Sequence, residues 1–370
     1  MNNNNNIKKW LWLTVRCAIS RKKIKALLEI FKSVDNIYEA DFNKFKPFKF
    51  LTDEEREKLA NKTMNGIDDF IKTLSDNQVK IVTSDNEEEY PHLLKQTYDY
   101  PYVLYCRGKF VNLNNFTCVA MVGARKATEY GLNCAKNLAY DIAKSGIIIV
   151  SGMAYGIDTA AHKGALEARG ITVAVLGCGI NRVYPQSNAS LMKKIMETGM
   201  VISEYPPNTE PLKHHFPERN RIISGICRGT VVVEAAFDSG SLITANIANE
   251  TNRDVFAVPG NINSLYSKGT NSLIKECAYV VTEADDILCH YTDNRKKSSF
   301  DKENISDNKN EEFSDKEKLV LSVLGGEPVH IDKILELTNL DFSELSEILL
   351  MLEVDEKIYS TAGNMYALSI

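Results

Sequence analysis

The ten residues FTCVAMVGAR at positions 116–125 decide the fold class. Six of the first seven are apolar, and they show no alternation between polar and apolar side chains. A continuous run of this kind is typical of a strand buried on both faces, and such strands occur in parallel sheets covered by helices. Gly123 follows the run directly, which predicts a turn at the carboxyl end of the strand.

Similar runs recur along the chain, and helical stretches separate them. Strands that alternate with helices predict an α/β fold with a Rossmann-like, doubly wound parallel sheet. The further predicted strands are 79–82, 147–150, 172–176, 201–203, 230–233, 255–258 and 279–281.

The periodicity of the sequence divides the chain into four parts. Short amphipathic stretches in residues 1–75 predict a small helical domain. We expect this domain to be SAM-like or helix-hairpin-helix-like. Residues 76–292 hold the Rossmann-like core. Residues 293–313 are polar and charged, which favours a flexible linker. Residues 314–370 show three helical periodicities followed by a hairpin, the order of a winged helix.

Charge and cysteine usage restrict the function. The 370-residue chain has a formal net charge of −5, so any nucleic-acid site has to be a local basic patch. Its eight cysteines show neither a CxxC pair nor zinc spacing with histidines, which predicts buried reduced thiols, no metal and a cytoplasmic protein. Residues 1–16 lack a cleavage site and no apolar run is long enough to cross a bilayer, so we expect no signal peptide and no membrane.

Four predicted strands lead into glycine-containing loops that open helices. In a doubly wound sheet such loops meet at the carboxyl edge, where backbone N–H groups and helix N-termini attract anions. A tight turn explains any one of them, but four together favour a phosphate-binding crevice. The loops are 122–125, 150–156, 176–179 and 236–241.

The familiar nucleotide motifs do not fit this crevice. Gly123 is followed by Ala124 and Arg125, so the first loop lacks the GxGxxG fingerprint, and the second strand is followed by Ser151 and not by an acidic residue for a ribose. The Walker pattern is also absent. We therefore expect no bound NAD or ATP and no other cofactor.

A basic segment supplies the predicted phosphate ligands. The run FPERNR at positions 216–221 carries two arginines separated by one residue, and Lys213 precedes it. Guanidinium groups match phosphate geometry bidentately. The alternative is a surface ion pair with Glu218 and Glu210, but the neighbouring glycine loops favour phosphate contact.

Two groups of polar residues are ambiguous. Asp158 and His162 lie four residues apart, and we interpret Asp158 as a helix N-cap and His162 as a packed side chain, because one Asp and one His make a poor metal site. Glu204 and Glu234 follow predicted strands. One interpretation is that either glutamate is a general acid with a raised pKa. The simpler interpretation is that these carboxylates hold the arginines of the FPERNR run.

Several blocks agree in order and spacing with one family. Residues 79–288 resemble the DprA/Smf family of DNA-processing proteins. This resemblance implies a protein that binds single-stranded DNA, dimerises and loads the RecA recombinase in natural transformation. The blocks are VGAR (122–125), SGMAYGID (151–158), AH (161–162), YP (184–185), SEYP (203–206), FPERNRIISG (216–225), Glu234, SGSLITA (239–245) and FAVPG (256–260).

The chain departs from the family pattern at two positions. Ala124 stands where the family usually has serine, and Tyr155 where it usually has arginine. The second change removes a positive charge from the expected DNA path. We predict that Tyr155 is exposed and stacks on a base, and the alternative is that it contributes nothing.

The site prediction combines the loops, the basic segment and the resemblance. We expect single-stranded DNA, RecA and a second copy of the chain as partners, and no catalysis, because no nucleophile elbow or Ser/His/Asp order appears. The predicted DNA-binding residues are Gly123, Ala124, Arg125, Gly152, Tyr155, Gly156, Lys213, Arg219, Asn220, Arg221, Ser239, Gly240, Ser241 and Lys268.

Two other function classes remain as alternatives. Phosphoribohydrolases of the Lonely-guy type share the fold and carry PGGxGTxxE, but residues 239–244 here read SGSLIT without a glutamate at the matching offset. Release of free base from a nucleotide would support that class. A winged-helix transcription factor is the other, but residues 314–370 are acidic, so we interpret this part as a partner-binding or auxiliary module.

Overall fold

The computed structural model of the protein forms two compact units, Met1–Thr292 and Asp293–Ile370. The predicted linker, residues 293–313, lies outside the described residues. The structure describes residues 2–291, 314–325, 328–355, 357–361 and 363–368.

Six α-helices precede the sheet, as the periodicity of the front of the chain predicts. Their apolar side chains share one core with the first strands of the sheet, and the ring of Trp10 stacks on Tyr102 with centroids 5.2 Å apart. The front of the chain is thus packed onto the sheet within the first unit. The helices are α1 (Asn2–Leu11, continued by a π-helix over Trp12–Arg16), α2 (Arg21–Phe31), α3 (Val34–Glu39), α4 (Phe42–Phe45), α5 (Asp53–Ala60) and α6 (Ile67–Asp76).

The core contains a nine-stranded sheet in the order β1-β2-β6-β5-β4-β3-β7-β8-β9. All neighbours from β6 to β9 in this order run parallel, whereas β1 pairs with β2 and β2 with β6 antiparallel. The strands are β1 (Val79–Thr83), β2 (Val103–Gly108), β3 (Cys118–Val122), β4 (Ile148–Ser151), β5 (Thr172–Val175), β6 (Met200–Ser203), β7 (Gly229–Val232), β8 (Asp254–Ala257) and β9 (Tyr279–Val280).

The doubly wound fold predicted from the sequence is confirmed, with one strand missed. The run 103–106 is continuously apolar and is buried in β2, so it carries the same signal as the strands that were predicted. Its antiparallel pairing with β1 and β6 adds two strands at one edge of an otherwise parallel sheet.

Helices cover both faces of the sheet. On β3, Cys118, Ala120 and Val122 join one apolar core while Val119 and Met121 join the other, as the twofold side-chain period of a strand requires. The helices are α7 (His92–Lys95), α8 (Glu129–Lys144), α9 (Ile157–Glu167), α10 (Ala189–Thr198), α11 (His215–Ile226), α12 (Gly240–Glu250), α13 (Lys268–Lys275) and α14 (Asp285–Tyr291).

The strand order places a crevice between β3 and β7. The chain begins the parallel part at β3, continues outward through β4, β5 and β6, and then returns to the opposite side of β3 as β7, β8 and β9. The loops after β3 and β7 therefore diverge, and ligands of open α/β sheets bind at such a switch point outside the carboxyl ends of the strands.

The second unit has the winged-helix order that the sequence predicts. Within its described residues, three helices and a three-stranded antiparallel sheet in the order β10-β12-β11 surround one apolar core. The short strand β10 was not predicted. The elements are α15 (Asp315–Val323), β10 (Val329–His330), α16 (Ile331–Thr338), α17 (Phe342–Val354), β11 (Ile358–Thr361) and β12 (Met365–Leu368).

The cysteines are free thiols, and most are buried. The prediction of buried thiols is wrong for Cys277 and Cys289, which are exposed on the first unit. Within the described residues, no helix combines the length and the apolar character that a membrane crossing requires.

Candidate nucleic-acid interface

A crevice of about 200 Å³ lies at the switch point. Half of the fourteen predicted DNA-binding residues line it: Gly123, Arg125, Arg219, Asn220, Ser239, Gly240 and Ser241. The other lining residues are Val122, Ala154, Asp158, Phe216, Pro217, Ile223 and Thr244.

Close backbone approach makes glycine necessary in the loop after β4. Gly156 has a φ of +73°, and a Cβ there would lie 2.2 Å from the carbonyl oxygen of Ala124. A Cβ on Gly152 would lie 2.5 Å from a guanidinium nitrogen of Arg219. The two predicted glycines therefore hold this loop against its neighbours, which is a packing role at the side of the crevice.

The loop after β3 is tied to β7 by its own backbone. The N–H of Ala124 donates a hydrogen bond of 2.7 Å to the carbonyl oxygen of Glu234, and the Ala124 carbonyl accepts from the N–H of Ile157. The backbone groups of Ala124 are thus engaged within the protein. Arg125, the next residue, is exposed.

The N-terminus of α12 opens into the crevice. Ser239 is the N-cap and accepts a hydrogen bond from the N–H of Ser241, and the two hydroxyl groups lie 2.7 Å apart. Gly240 is exposed, and a Cβ at this position would meet no atom within 4 Å. The positive end of the helix dipole therefore attracts an anion at this end of the crevice.

Arg219 forms the floor of the crevice. It is only 3% exposed, and its Nη1 donates to the carbonyl oxygens of Gly152 and Val175. Burial lowers the pKa of Arg219, and the attraction of Asp158 opposes that change. Arg219 thus connects the carboxyl ends of β4 and β5, and its positive charge lies beneath the crevice.

Asp158 also belongs to the floor, and its prediction as an N-cap is wrong. The N-cap of α9 is Gly156, and the Asp158 carboxylate instead accepts a hydrogen bond from the N–H of Ala154 at 3.1 Å. Burial raises the pKa of Asp158, while Arg219 and the Ala154 N–H act in the opposite direction. The carboxylate therefore fixes the glycine loop and balances the buried guanidinium.

The aromatic ring of Phe216 lines the crevice, and sequence reasoning missed it as a site residue. Arg125 lies over the ring of Phe216 with its guanidinium carbon 5.4 Å from the ring centroid. The rings of Phe216 and Tyr184 are 5.3 Å apart, and Gly177 after β5 packs directly on Phe216. The signal was the position of Phe216 at the first turn of α11, three residues before Arg219 on the same helix.

Three predicted residues are exposed but do not line the crevice itself. Tyr155 is 53% exposed, which confirms the exposure predicted from the sequence. Lys213 is exposed two residues before α11 begins. Lys268 is exposed at the start of α13, where the N–H of Gly269 donates to the carbonyl oxygen of Ala235 after β7.

Arg221 lies elsewhere. It is buried and pairs with Glu204 at 2.5 Å, outside the crevice lining. The prediction that Glu204 and Glu234 both hold the arginines is therefore half wrong. Glu234 instead accepts hydrogen bonds from the N–H and hydroxyl of Thr128, which begins α8.

His162 is packed, as the sequence interpretation expected. It is fully buried, and its Nδ1 lies 2.7 Å from the hydroxyl of Thr172. Since that hydroxyl donates to the carbonyl of Ile149, Nδ1–H is the donor to Thr172, and the bare Nε2 finds no partner. Burial lowers the pKa of His162 to about 3, with Arg219 acting in the same direction. In the described part of the chain, no group of three His, Cys, Asp or Glu side chains could hold a metal.

Known proteins are similar to this chain in sequence and in fold. The DNA processing protein DprA of Streptococcus pneumoniae is 45% identical over 202 residues, which cover 55% of this chain and 71% of that protein. DprA of Bacillus subtilis is 41% identical over 203 residues, covering 55% and 68%. The X-ray structure of the S. pneumoniae protein superposes with a TM-score of 0.67 at 35% identity, over 77% of this chain and 98% of that one.

A second solved structure bears on the ligand. It describes the single-stranded DNA binding mode of DNA processing protein A from Helicobacter pylori, and it matches with a TM-score of 0.52 at 29% identity, over 58% of this chain and 96% of that one. Family models match both units of the present chain: DNA recombination-mediator protein A over residues 80–292, and the DprA winged helix domain over residues 306–364. The family model, the doubly wound fold and the related structures agree. The chain therefore belongs to the DNA recombination-mediator protein A family, which is the family of the DprA/Smf DNA-processing proteins.

Proposed function

We propose that this protein binds single-stranded DNA at the crevice between β3 and β7 and passes it to the RecA recombinase. The observation that carries the DNA-binding proposal is the pairing of Arg125 with Phe216 beside the N-terminus of α12. A guanidinium, an aromatic face and the positive end of a helix dipole together match a phosphate and an unpaired base.

The charges of the crevice support phosphate contact. Arg125 is exposed and forms no ion pair with any described residue, so its guanidinium is available to a ligand. Arg219 below it is neutralised in part by Asp158, so the positive potential comes from the outer residue and from the helix dipole. The exposed Lys213 and Lys268 extend the basic surface on the two sides.

The aromatic groups favour a single strand over a duplex. Phe216 lines the crevice, and Tyr155 and Phe237 are exposed on neighbouring loops, at 53% and 75%. Bases of a single strand can stack on such rings, whereas duplex bases are already stacked on each other. The H. pylori relative, whose structure describes single-stranded DNA binding, supports the same ligand class.

The proposal assigns no catalytic role to the site. The only carboxylate in the crevice lining, Asp158, is buried and bound to the Ala154 N–H. The loop at the start of α12 reads SGSLIT, without the glutamate that the phosphoribohydrolase motif requires. Release of free base from a nucleotide would contradict this part of the proposal.

RecA loading and a homodimer are proposed from family membership. The edge of the sheet at β9 adds a physical reason for a protein partner, because Tyr279 and Val280 are both about half exposed on this last strand. Exposed apolar edge strands pair readily with other chains.

A gel shift with single-stranded and duplex oligonucleotides at several salt concentrations tests the DNA proposal. We expect preference for the single strand, and for Arg125→Ala weaker binding with a salt slope reduced by about 0.7 in log–log units. Lys144→Ala is the matched control, since Lys144 is exposed at the opposite end of α8, away from the carboxyl edge of the sheet. Equal affinity for both DNA forms, or an unchanged slope in Arg125→Ala, would refute the assignment.

A further inference from the structure

A buried cluster of charges lies on the side of α11 that does not line the crevice. Its centre is Glu204, whose Oε2 accepts from Nη1 of Arg21 and from Nη2 of Arg221. Asp99 adds a second carboxylate, 3.2 Å from Nη2 of Arg21 and 3.5 Å from Nε of Arg221. Arg21 of the helical front thus meets Arg221 of α11 through a shared carboxylate, and its Nη2 also lies 3.6 Å from the more exposed carboxylate of Glu218 on the same helix.

This cluster is shielded from water. The side chains of Glu204 and Arg221 are 5% and 10% exposed, and that of Arg21 is 26% exposed. Burial disfavours the charged form of Arg21, but Glu204 and Asp99 outweigh it and raise the pKa of Arg21. Buried charges that lose a partner are costly, so Arg221 and Glu204 depend on Arg21 to complete the cluster.

The same helix carries the crevice residues on its other side. Phe216, Arg219 and Asn220 line the crevice, and Arg221 is the next residue along. Because α11 is a continuous helix of 12 residues, a rotation that moves Arg221 also moves its neighbours. The position of the crevice lining is therefore tied to the contacts of Arg221.

Arg21 is the first residue of α2, and 183 positions separate it from Glu204. No other described side chain of the helical front forms an ion pair with Glu204. The Lys23–Glu55 pair, two residues further along α2, joins only α2 to α5. The front of the chain therefore reaches the cluster through Arg21.

We propose that Arg21 is a positioning residue for DNA binding, which sets the orientation of α11 through Glu204 and Arg221 and so places Phe216 and Asn220 in the crevice. The helical front of the chain then acts on the affinity for single-stranded DNA without touching it. This inference rests on the proposed function.

The first test compares two methionine variants of α2 in fluorescence anisotropy with labelled oligo(dT), using the full chain. Arg21→Met removes the contact to Glu204, and Lys23→Met removes an ion pair of similar exposure within the helical front. We expect Arg21→Met to weaken binding roughly three- to tenfold. Its salt slope stays that of the parent protein, because no phosphate contact is lost. Lys23→Met binds within about twofold of the parent.

Three further variants separate positioning from general destabilisation. Arg21→Lys keeps one ion pair and should recover part of the affinity; it also serves if Arg21→Met does not fold. Asn220→Ala removes a crevice residue that donates to the Gly240 carbonyl. If Arg21 acts through α11, the loss in the double variant Arg21→Met/Asn220→Ala is smaller than the product of the two single losses.

The failures are distinguishable. A parent protein that does not bind oligo(dT) refutes the proposed function and the positioning role with it. If the parent binds, the positioning role alone is refuted by any of three results: normal binding in Arg21→Met, an equal loss in Lys23→Met, or strictly multiplicative losses in the double variant. A salt slope lowered by about 0.7 in Arg21→Met also refutes it, since Arg21 would then touch a phosphate itself.

Discussion

The rim of the crevice, made of Arg125 and of Tyr155 on the adjacent loop, and its floor, made of Arg219 and Asp158, each contain an arginine, in opposite environments. Both rim residues are exposed, and Arg125 lies over an aromatic ring and forms no ion pair with a described residue. On the floor, Arg219 and Asp158 are buried, and each is bound to backbone groups of the loop after β4. The arginine on the rim is available to a ligand, whereas the arginine on the floor is already bound to backbone carbonyl groups.

This difference predicts that substitutions on the floor and substitutions on the rim change different properties of the protein. Removal of a buried charge leaves its partner without compensation and costs stability. Removal of an exposed side chain leaves the fold intact and changes only what binds. Changes on the floor should therefore appear in unfolding experiments, and changes on the rim in binding experiments.

The largest effect is expected from Arg219→Met. It leaves Asp158 buried beside two carbonyl groups that have lost their donor, and the free energy of unfolding should fall by about 3–5 kcal/mol. Urea denaturation measures this change. Arg125→Met is the same chemical change on the rim and should alter stability by less than about 0.5 kcal/mol. Equal losses in both variants would erase the distinction between floor and rim.

The second effect is a pH dependence of stability from His162 beneath the floor. The pKa of this imidazole is 6.5 in the unfolded chain and about 3 in the folded protein, so between these values only the unfolded state binds the proton. Stability should therefore fall as the pH decreases below 6.5, at a rate approaching about 1.4 kcal/mol per pH unit.

The matched variant for this prediction is His162→Asn. Its amide can still donate to Thr172 but does not titrate in this range. The raised pKa of Asp158 acts in the opposite direction in both proteins, so the difference between the two urea series isolates His162. Parallel series from pH 7 to pH 4 would show that the imidazole is not held neutral.

The third effect belongs to the rim. Tyr155→Ala should weaken oligo(dT) binding by about 1–2 kcal/mol with an unchanged salt slope, because a stacked ring and not a phosphate contact is lost. Tyr155→Phe keeps the ring and should bind as the parent does. Tyr155→Arg should steepen the salt slope. Anisotropy titrations check all three, and normal affinity in Tyr155→Ala would show that the tyrosine contributes nothing.

A smaller effect should come from Arg125→Lys. The variant keeps the positive charge, so the salt slope stays the same, but it loses the planar fork over Phe216. We expect affinity for the single strand to fall by about 1 kcal/mol. A slope lowered as in Arg125→Ala would mean that the lysine no longer reaches the phosphate.

The smallest effect is expected when residues 314–370 are deleted. The predicted binding residues all lie in the first compact unit, and the deleted part has an excess of acidic side chains. The truncated protein should remain folded and bind oligo(dT) within about twofold of the parent. Loss of binding in a folded truncated protein would place part of the interface in the second unit.

The sequence indicated the crevice through its glycine loops but did not separate floor from rim. Gly123, Gly152 and Gly240 were assigned from their positions after apolar runs, and the structure brings them to one edge of the sheet. The arginines of the FPERNR run look equivalent in the sequence. They separate in the structure because a helical step of two residues turns a side chain to another face.

One assignment failed because the partner is distant in the chain: Glu234 binds Thr128, 106 positions away. Glu204 holds Arg221 as expected, but it also binds Arg21, 183 positions away, which the sequence did not predict. No local pattern marks such pairs, since either carboxylate follows a buried strand in the same way. Phe216 was missed as a site residue for a similar reason, because its ring becomes part of the crevice only when Arg125 arrives from β3.

The sequence by itself determined most of the strands, the alternation with helices, the winged-helix order and the family, because each depends on residues close together along the chain. Only the tertiary structure decided which charged side chains are buried and paired inside the protein. Arg219, Arg221, Asp158 and Glu204 are buried, and their partners come from other strands and from the helical front. Whether a charged side chain meets water or a buried partner depends on how distant segments pack, and that packing is a property of the whole fold.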